Sequence, residues 1–521
     1  MPLTRSMMMA LRSFPLCARV GAISAACVLA ACTVGPDYRG APSVAPEATH
    51  AASFVRTPAT GIVSTPAPAQ WWLALNDPRL NALIDAALAH NPDVRVAEAR
   101  LREARSQLQQ QRANEAPKVS ASAAVVRMRE PDLSALSGSN GSGQTASSGG
   151  GPLQLYTAGF DASWEIDLFG GTRRAIEAAS DEAEAVDADL ADAQVSLTAE
   201  VAQAYIDLRD EQRRLALARE SAALQQQMLD LTQQRRAGGT AADIDVERLT
   251  TQVENTRSTF SPLEAQVAAS LDQLAVLTGK PPGALDAELS AAQPLPSLPA
   301  SVPVGDPAAL LAQRPDIRAA ERRLASSNAQ IGEHVADFLP KVTLLGDLGF
   351  SAADPGHLFR KTNFSWLGVP YLQWNLFDFG RTLGAVHGAE ASRDEADARY
   401  TKAVLAALQD ANGALSRYGY QREHLVTLQK VQTSAGHSAT LMRQRYRAGA
   451  SSLVDLLDTQ RVEFSSQQDV VAGQAELLKD FVSLQKSLGL GWQSASQPGP
   501  TSQPQPGVAA AVCCSGVSAA R

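Results

Sequence analysis

One short stretch of this chain is written twice, and the fold follows from that repetition. Asn91-Pro92-Asp93-Val94-Arg95 returns as Arg314-Pro315-Asp316-Ile317-Arg318. The match extends further along both copies, to Pro117-Lys118-Val119 with Pro340-Lys341-Val342, Trp164 to Gly170 (WEIDLFG) with Trp374 to Gly380 (WNLFDFG), and Arg236-Ala237-Gly238 with Arg447-Ala448-Gly449. Internal similarity of this kind indicates one structural unit present in two copies. Each element predicted for one copy is therefore expected in the other.

Each copy predicts a helix, two strands and two long helices. In the first copy a helix from about Pro92 to Ala116 ends before Pro117, and a strand from Val119 to Val126 follows. After a Gly/Ser-rich segment, 133–151, residues 157–168 alternate strictly between polar and apolar. That pattern is typical of a strand between lipid and a water-filled lumen. A half-buried strand of a soluble sheet alternates in the same way, so the pattern alone leaves both open.

The second copy predicts strands over Val342 to Phe350 and Phe364 to Leu376, with Pro370 weakening or bending the last one. Four membrane strands are too few to close a barrel. An open sheet edge in lipid leaves backbone groups unpaired, at several kcal/mol each. Several chains are therefore expected to share one barrel.

Two helical hairpins of unusual length complete the copies. No proline interrupts Gly171 to Arg236, where leucines and valines recur at spacings of three, four and seven. A turn at Gly238 leads into a return helix ending near Leu277. The second hairpin runs from Thr382 to Tyr446, turns at Gly449 and returns along a stripe that begins at Leu453. Such sustained stripes predict coiled-coil packing. The fold class is thus mainly α with a membrane β-barrel.

The N-terminus predicts a lipoprotein. Arginines precede an apolar stretch that ends in Leu29-Ala30-Ala31-Cys32, which is too short to span a bilayer and is typical of a cleaved signal peptide, 1–31. By similarity to bacterial lipoproteins, Cys32 is the lipid attachment site, and Thr33 after it favours the outer membrane. An ordinary signal peptide with an incidental cysteine is the alternative. Residues 33–70 and 493–521 are rich in small residues and proline, so both are expected to be irregular or disordered.

Composition and motifs argue against several other classes. The net charge of −8 makes nucleic acid an improbable partner. The 7 histidines are scattered, without the spacing of a zinc motif, and no phosphate-binding loop or catalytic constellation is present in the sequence. We therefore expect no enzyme, no metal and no cofactor. The predicted domains are an N-terminal lipid-anchored linker (32–70), a first repeat (71–282), a linker (283–306), a second repeat (307–492) and a tail (493–521).

These features together resemble the outer membrane factor family, the TolC-like channels with an OprM/NodT-type lipoprotein branch. The residues that carry the resemblance are Cys32 to Tyr38, Asp77 to Leu80, the paired strand ends, Tyr446 to Gly449, and Leu453 to Gln460. The resemblance implies a homotrimer with a twelve-stranded outer-membrane barrel and a long periplasmic helical tunnel. It also implies a periplasmic adaptor and an inner-membrane pump as partners, and passive export of small molecules. A type I protein secretion duct and a periplasmic adaptor lipoprotein are the alternatives.

The same resemblance implies a gate at the periplasmic tip, near the turns at Gly238 and Gly449. Asp455 and Asp458 match positions that form an acidic constriction in the family, and Tyr446 matches a hydrogen-bonding gate position. Spacing of i and i+3 places both carboxylates on one helical face. The alternative is that they are solvated residues favoured by the helix dipole. Where TolC carries an arginine this chain has Ser451, so the locking contacts are expected to differ, with Asp243 or Asp245 as candidates.

Overall fold

The computed structural model describes residues 33–128 and 153–492. The predicted signal peptide, Cys32, the Gly/Ser-rich segment and the predicted tail lie outside these residues. The N-terminal linker contains α1 (Pro46–Thr49) and β1 (Ile62–Val63). The first copy then has α2 (Pro78–His90), α3 (Pro92–Ala113), β2 (Lys118–Met128), β3 (Leu153–Ile166), α4 (Gly171–Ala237), α5 (Asp243–Ser258) and α6 (Phe260–Leu277), and α7 (Asp286–Leu289) lies in the second linker.

The second copy repeats this order from the second linker onward. After β4 (Val302–Pro303) in the linker, its elements are α8 (Pro307–Gln313), α9 (Pro315–Ala336), β5 (Lys341–Ala352), β6 (Phe364–Gln373), α10 (Arg381–Arg447) and α11 (Leu453–Ser487). The long helices α4 and α10 each have 67 residues. The predicted duplication is therefore confirmed, and so is the predicted order of a short helix, two strands and a long helix in each copy. Within the described residues, no helix combines the length and the apolar character needed to cross a bilayer.

The four long strands form one antiparallel sheet in the order β2-β3-β5-β6. The register places like residues side by side, so that Asp161 lies opposite Asp347 on one face, and Leu348 lies opposite both Phe160 and Trp366 on the other. One face of the sheet is therefore apolar, as the alternation predicted, whereas the other carries Asp161 and Asp347 together with Leu345 and Leu367. Pro370 lies within β6 opposite Leu344 and does not end the strand.

The repeated WxxxxxG motif has a structural reason in both copies. The indole nitrogen of Trp164 donates to the carbonyl of Glu115 at 2.9 Å, and that of Trp374 donates to the carbonyl of Phe338 at 3.0 Å. The glycines that close the motif, Gly170 and Gly380, precede α4 and α10 with the same φ of 86°. Each tryptophan thus ties a strand end to the end of the preceding short helix, and each glycine turns the chain into the long helix.

The main core lies where the short helices pack around the long hairpins. Trp71 stands edge-on to Phe481 with ring centroids 5.9 Å apart. Tyr205 in the same cluster is 1% exposed and donates through its hydroxyl to Asp77 at 2.8 Å. This cluster joins α2, α4, α10 and α11, so both copies share one core.

Residues 33–70 are mostly irregular, which is one of the two predicted alternatives, but they are not loose. Residues 33–63, which we call the strap, are held by specific bonds to both copies. Val34 N–H donates to the carbonyl of Phe169 at 3.0 Å, and the buried Asn328 donates to the carbonyl of Pro36 at 2.8 Å. The guanidinium of Arg174, whose side chain is 5% exposed, pairs with Asp37 at 2.5 Å. Composition predicts how readily a segment becomes ordered by itself. It carries no information about hydrogen-bond partners that the rest of the fold provides.

The predicted single return helix of the first hairpin is also wrong, because it breaks at Thr259 into α5 and α6. Pro262 has no N–H to continue the helical hydrogen bonds across this point. The hydroxyls of Ser258 and Thr259 donate back to the carbonyls of Asn255 and Thr256, at 2.8 and 2.7 Å. The corresponding α11 is continuous over 35 residues.

Candidate channel gate

Both hairpins turn at the end farthest from the sheet. In the second turn Gly449 has a φ of +71°, and Ala450 N–H donates to the carbonyl of Arg445 at 2.9 Å. In the first turn the left-handed residue is Gly239, with a φ of +72°, while Gly238 has a φ of −83°. Gly239 is therefore the structural counterpart of Gly449, although the shared Arg-Ala-Gly motif aligns Gly238 with Gly449.

A small apolar cluster holds the four helices together just behind these turns. The cluster joins the ends of α4 and α10 to the starts of α5 and α11, and its buried members are Leu229, Val246, Leu249, Val253 and Leu453. Tyr446 is half-buried against this cluster. The two hairpin tips of one chain are thus a single packed unit.

Asp455 forms a capping box at the start of α11. The Ser452 hydroxyl accepts from Asp455 N–H at 3.2 Å, and the Asp455 carboxylate accepts from Ser452 N–H at 3.2 Å and from the Ser452 hydroxyl at 2.7 Å. These bonds lower the pKa of the Asp455 carboxyl below its ordinary value of 3.8. The side chain is exposed and stays ionised at neutral pH. The Ser-x-x-Asp signal was readable in the sequence.

Asp458 lies one turn further along α11 and faces solvent with Asp455, while Leu453 and Leu456 of the same turns are buried. Its carboxylate accepts from the Arg461 guanidinium at 2.8 Å, with side chains 63% and 70% exposed. Sequence reasoning missed Arg461, although its i+3 position made the pairing foreseeable.

The structure also shows the contacts of Asp243, a candidate for locking the gate, and of Ser451. Asp243 pairs with Arg236 across the first turn, so within one chain it is already engaged by its own hairpin. Ser451, at the position where TolC has an arginine, has a buried hydroxyl oxygen without a hydrogen-bond partner among the described residues. The structure thus brings Tyr446, Asp455 and Asp458 to one end of the molecule, and it does not join Asp243 to them directly. Across 33–128 and 153–492, no group of three or more potential metal ligands converges.

Comparison with known proteins identifies this architecture. A family model described as outer membrane efflux protein matches residues 83–280 and 307–490. The chain belongs to the outer membrane efflux protein family. The two matched segments each contain one copy of the repeat.

Curated relatives of this family resemble the chain over most of its length. The antibiotic efflux pump outer membrane protein ArpC of Pseudomonas putida is 33% identical over 472 residues, which cover 89% of this chain and 94% of that protein. OprJ of Pseudomonas aeruginosa is 32% identical over 476 residues, or 91% of this chain and 96% of OprJ. These relatives are outer-membrane components of efflux pumps and not enzymes.

Solved structures agree with the fold. The outer-membrane channel OprN superimposes with a TM-score of 0.79 at 35% identity, covering 89% of this chain and 100% of OprN. The open state of the MtrE channel of Neisseria gonorrhoeae gives a TM-score of 0.75 at 27% identity, covering 88% of this chain and 98% of MtrE. The chain therefore has the TolC-like channel fold, with a long helical part that extends into the periplasm from the outer membrane.

Proposed function

We propose that this outer membrane efflux protein is the exit duct of a tripartite efflux system powered by a resistance-nodulation-division pump. It conducts small molecules passively across the outer membrane. The observation that carries the proposal is a four-stranded sheet, with one apolar face and acidic residues on the other, that is joined to two hairpins whose first helices have 67 residues each. At 1.5 Å per residue such a helix extends about 100 Å.

The unpaired strand edges support a trimer. β2 and β6 lie at the two edges of the sheet, and every residue of both strands is exposed in the single chain. In a bilayer the unpaired backbone groups of those edges each cost several kcal/mol. Three copies that pair β6 of one with β2 of the next make a closed barrel of twelve strands, which has no edges.

The gate of this trimer is formed by Asp455 and Asp458 at the periplasmic tip. Threefold symmetry brings six carboxylates around one axis. Because the capping box keeps Asp455 ionised, Asp455 supplies constant negative charge, and Arg461 offsets part of the charge at Asp458. Such a ring favours cations. Tyr446 lies behind the ring, and the turns at Gly238–Gly239 and Gly449 present the surface on which an adaptor docks.

The lipid anchor is Cys32, acylated after removal of the signal peptide 1–31. Thr33, the next residue, lies so close to Gly170 that a Cβ on that glycine would stand 3.0 Å from the Thr33 Cα. Gly170 lies where the sheet meets the hairpins. The strap therefore sets the acyl chains at the periplasmic boundary of the membrane.

The relatives' names favour small-molecule export over a protein secretion duct. They describe antibiotic, toluene and solvent efflux and pyoverdine export. A periplasmic adaptor is a poorer reading, because this chain has two hairpins joined to one sheet. No nucleotide-binding motif occurs in the sequence, so the energy for transport comes from the inner-membrane pump through the adaptor.

Two measurements test this function. The purified protein is expected to form ion-conducting channels in planar bilayers, and its gene to restore antibiotic resistance to a strain that lacks its own outer-membrane channel. A Cys32→Ser variant with a cleavable secretory signal separates the contribution of the anchor from that of the channel. A soluble, non-acylated monomer that neither conducts nor restores resistance would refute the proposal.

A further inference from the structure

The loop between β5 and β6 is compact and lies at the end of the sheet opposite the hairpins. Residues 353–363 contain two single turns, Pro355–His357 and Lys361–Asn363. The Asn363 side-chain amide donates to the carbonyl of His357 at 2.7 Å and ties the turns together. Because its polar groups are bonded internally, the loop presents its remaining side chains in a fixed arrangement.

Three phenylalanines extend the apolar face of the sheet into this loop. Phe350 lies opposite Phe364 in the strand register, with ring centroids 5.4 Å apart. Phe359, from the loop, stands edge-on to Phe350 at 5.5 Å and is 73% exposed. Phe350 shares its face with Leu348 and Trp366, so Phe359 continues the lipid-facing surface beyond the last strand residues. An exposed aromatic ring at this level is typical of the boundary between acyl chains and headgroups.

Two cations follow that ring directly. Arg360 and Lys361 are exposed, and neither forms a salt bridge with any residue in the described part of the chain. The loop's acid is Asp354, whose carboxylate accepts from Gly356 N–H at 2.8 Å and lies 3.8 Å from the His357 ring. Among the described residues, the charges of Arg360 and Lys361 thus lie without an acidic partner beside an apolar surface.

We propose that Phe359, Arg360 and Lys361 form a binding site for a phosphorylated glycolipid headgroup of the outer leaflet. The inference rests on the proposed placement of the sheet in the outer membrane. The Phe359 ring lies among the ends of the acyl chains nearest the headgroups. The Arg360 guanidinium binds two oxygens of one phosphate, and the Lys361 ammonium adds a second positive charge. A second copy of the chain is a poorer occupant, because copies meet along β2 and β6 whereas this loop extends past the strand ends.

The test uses the full-length protein, delipidated in detergent micelles, with lipid A that carries two phosphates as the probe. The same lipid with both phosphates removed is the comparator, and native mass spectrometry measures the bound fraction. R360Q/K361Q is expected to weaken binding of the phosphorylated lipid about thirtyfold, from about fivefold for each of the two basic residues near a lipid surface. F359S is expected to weaken binding of both lipids. R95Q/R100Q, which removes two exposed arginines from α3, is the control and should bind as the wild type does.

Three outcomes would overturn the inference. Equal affinity for the two forms of lipid A would show that phosphate is not recognised. An equal loss in R95Q/R100Q would show diffuse attraction to any positive surface, and a changed oligomeric state in R360Q/K361Q would show that the loop contacts another copy. Planar-bilayer conductance separates this failure from a failure of the proposed function. A wild-type protein that conducts but does not select phosphorylated lipid refutes only the inference, and one that never conducts refutes the function.

Discussion

Replacing Asp458 with asparagine is expected to reduce the cation preference of the channel. Asp458 is a better target than Asp455 for this purpose, because Asp455 also caps α11. Loss of that cap costs about 0.5–2 kcal/mol per helix and would combine a folding defect with the change in charge. The Asp458–Arg461 pair is more than 60% exposed on both sides, so breaking it costs about 0.2–1 kcal/mol. Asp458→Asn should therefore fold and assemble normally.

The size of the effect follows from three charges removed near one axis. In water a unit charge about 7 Å from a permeating ion contributes about 0.6 kcal/mol. Screening at 0.1 M salt reduces this to about half over that distance. Three copies then change the energy of a cation in the ring by about 1 kcal/mol, which lowers the ratio of cation to anion permeability at least about fivefold.

Reversal potentials across a salt gradient in planar bilayers measure this ratio. Arg461→Ala is the matched variant, since it removes three positive charges from the same ring and should raise the ratio. If both variants shift the reversal potential in the same direction, or neither shifts it, the two side chains do not face the ion path. The gate assignment would then be wrong even for a protein that conducts well.

Three further predictions concern stability. Arg174→Ala should loosen the strap, because the Asp37 carboxylate loses its buried partner. The strap amides should then exchange hydrogen faster than in the wild type, and equal protection would contradict this prediction. Asp480→Asn should raise the free energy of unfolding at pH 8 by about 1–3 kcal/mol and leave it nearly unchanged at pH 4. Burial raises the pKa of the Asp480 carboxyl from 3.8 to about 6, so the wild type loses stability as pH rises through that window, and equal melting gains at both pH values would refute the reasoning. Gly239→Ala should lower the free energy of unfolding at the tip by about 1–2 kcal/mol, since the φ of Gly239 is positive, whereas Gly238→Ala should leave it unchanged. Hydrogen exchange of the tip amides measures both variants, and a larger effect of Gly238→Ala would contradict the assignment of the turn.

The tip shows how far sequence reasoning reached into the candidate site. The spacing of Asp455 and Asp458 placed both carboxylates on one exposed helical face, which is local information. The sequence also contained the signal for Ser452 as a cap, although that signal was not used. It could not show that Tyr446 packs on a cluster shared by four helices, because those contacts join residues far apart in the chain. The pairing of Asp243 with Arg236 depends on how tightly the first turn closes. The shared Arg-Ala-Gly motif placed that turn one residue too early, because Gly239 and not Gly238 has the positive φ.

The sequence by itself determined the duplication, the order of elements, the two faces of the sheet and the length of α4 and α10. These properties depend on periodicity and on helix-breaking residues, which act over a few neighbours. Only the tertiary structure decided that the strap is ordered, that the first return helix breaks at Thr259, and that both copies share one core. Each of these depends on hydrogen bonds or packing between distant segments, and such contacts have no periodic signature in the chain.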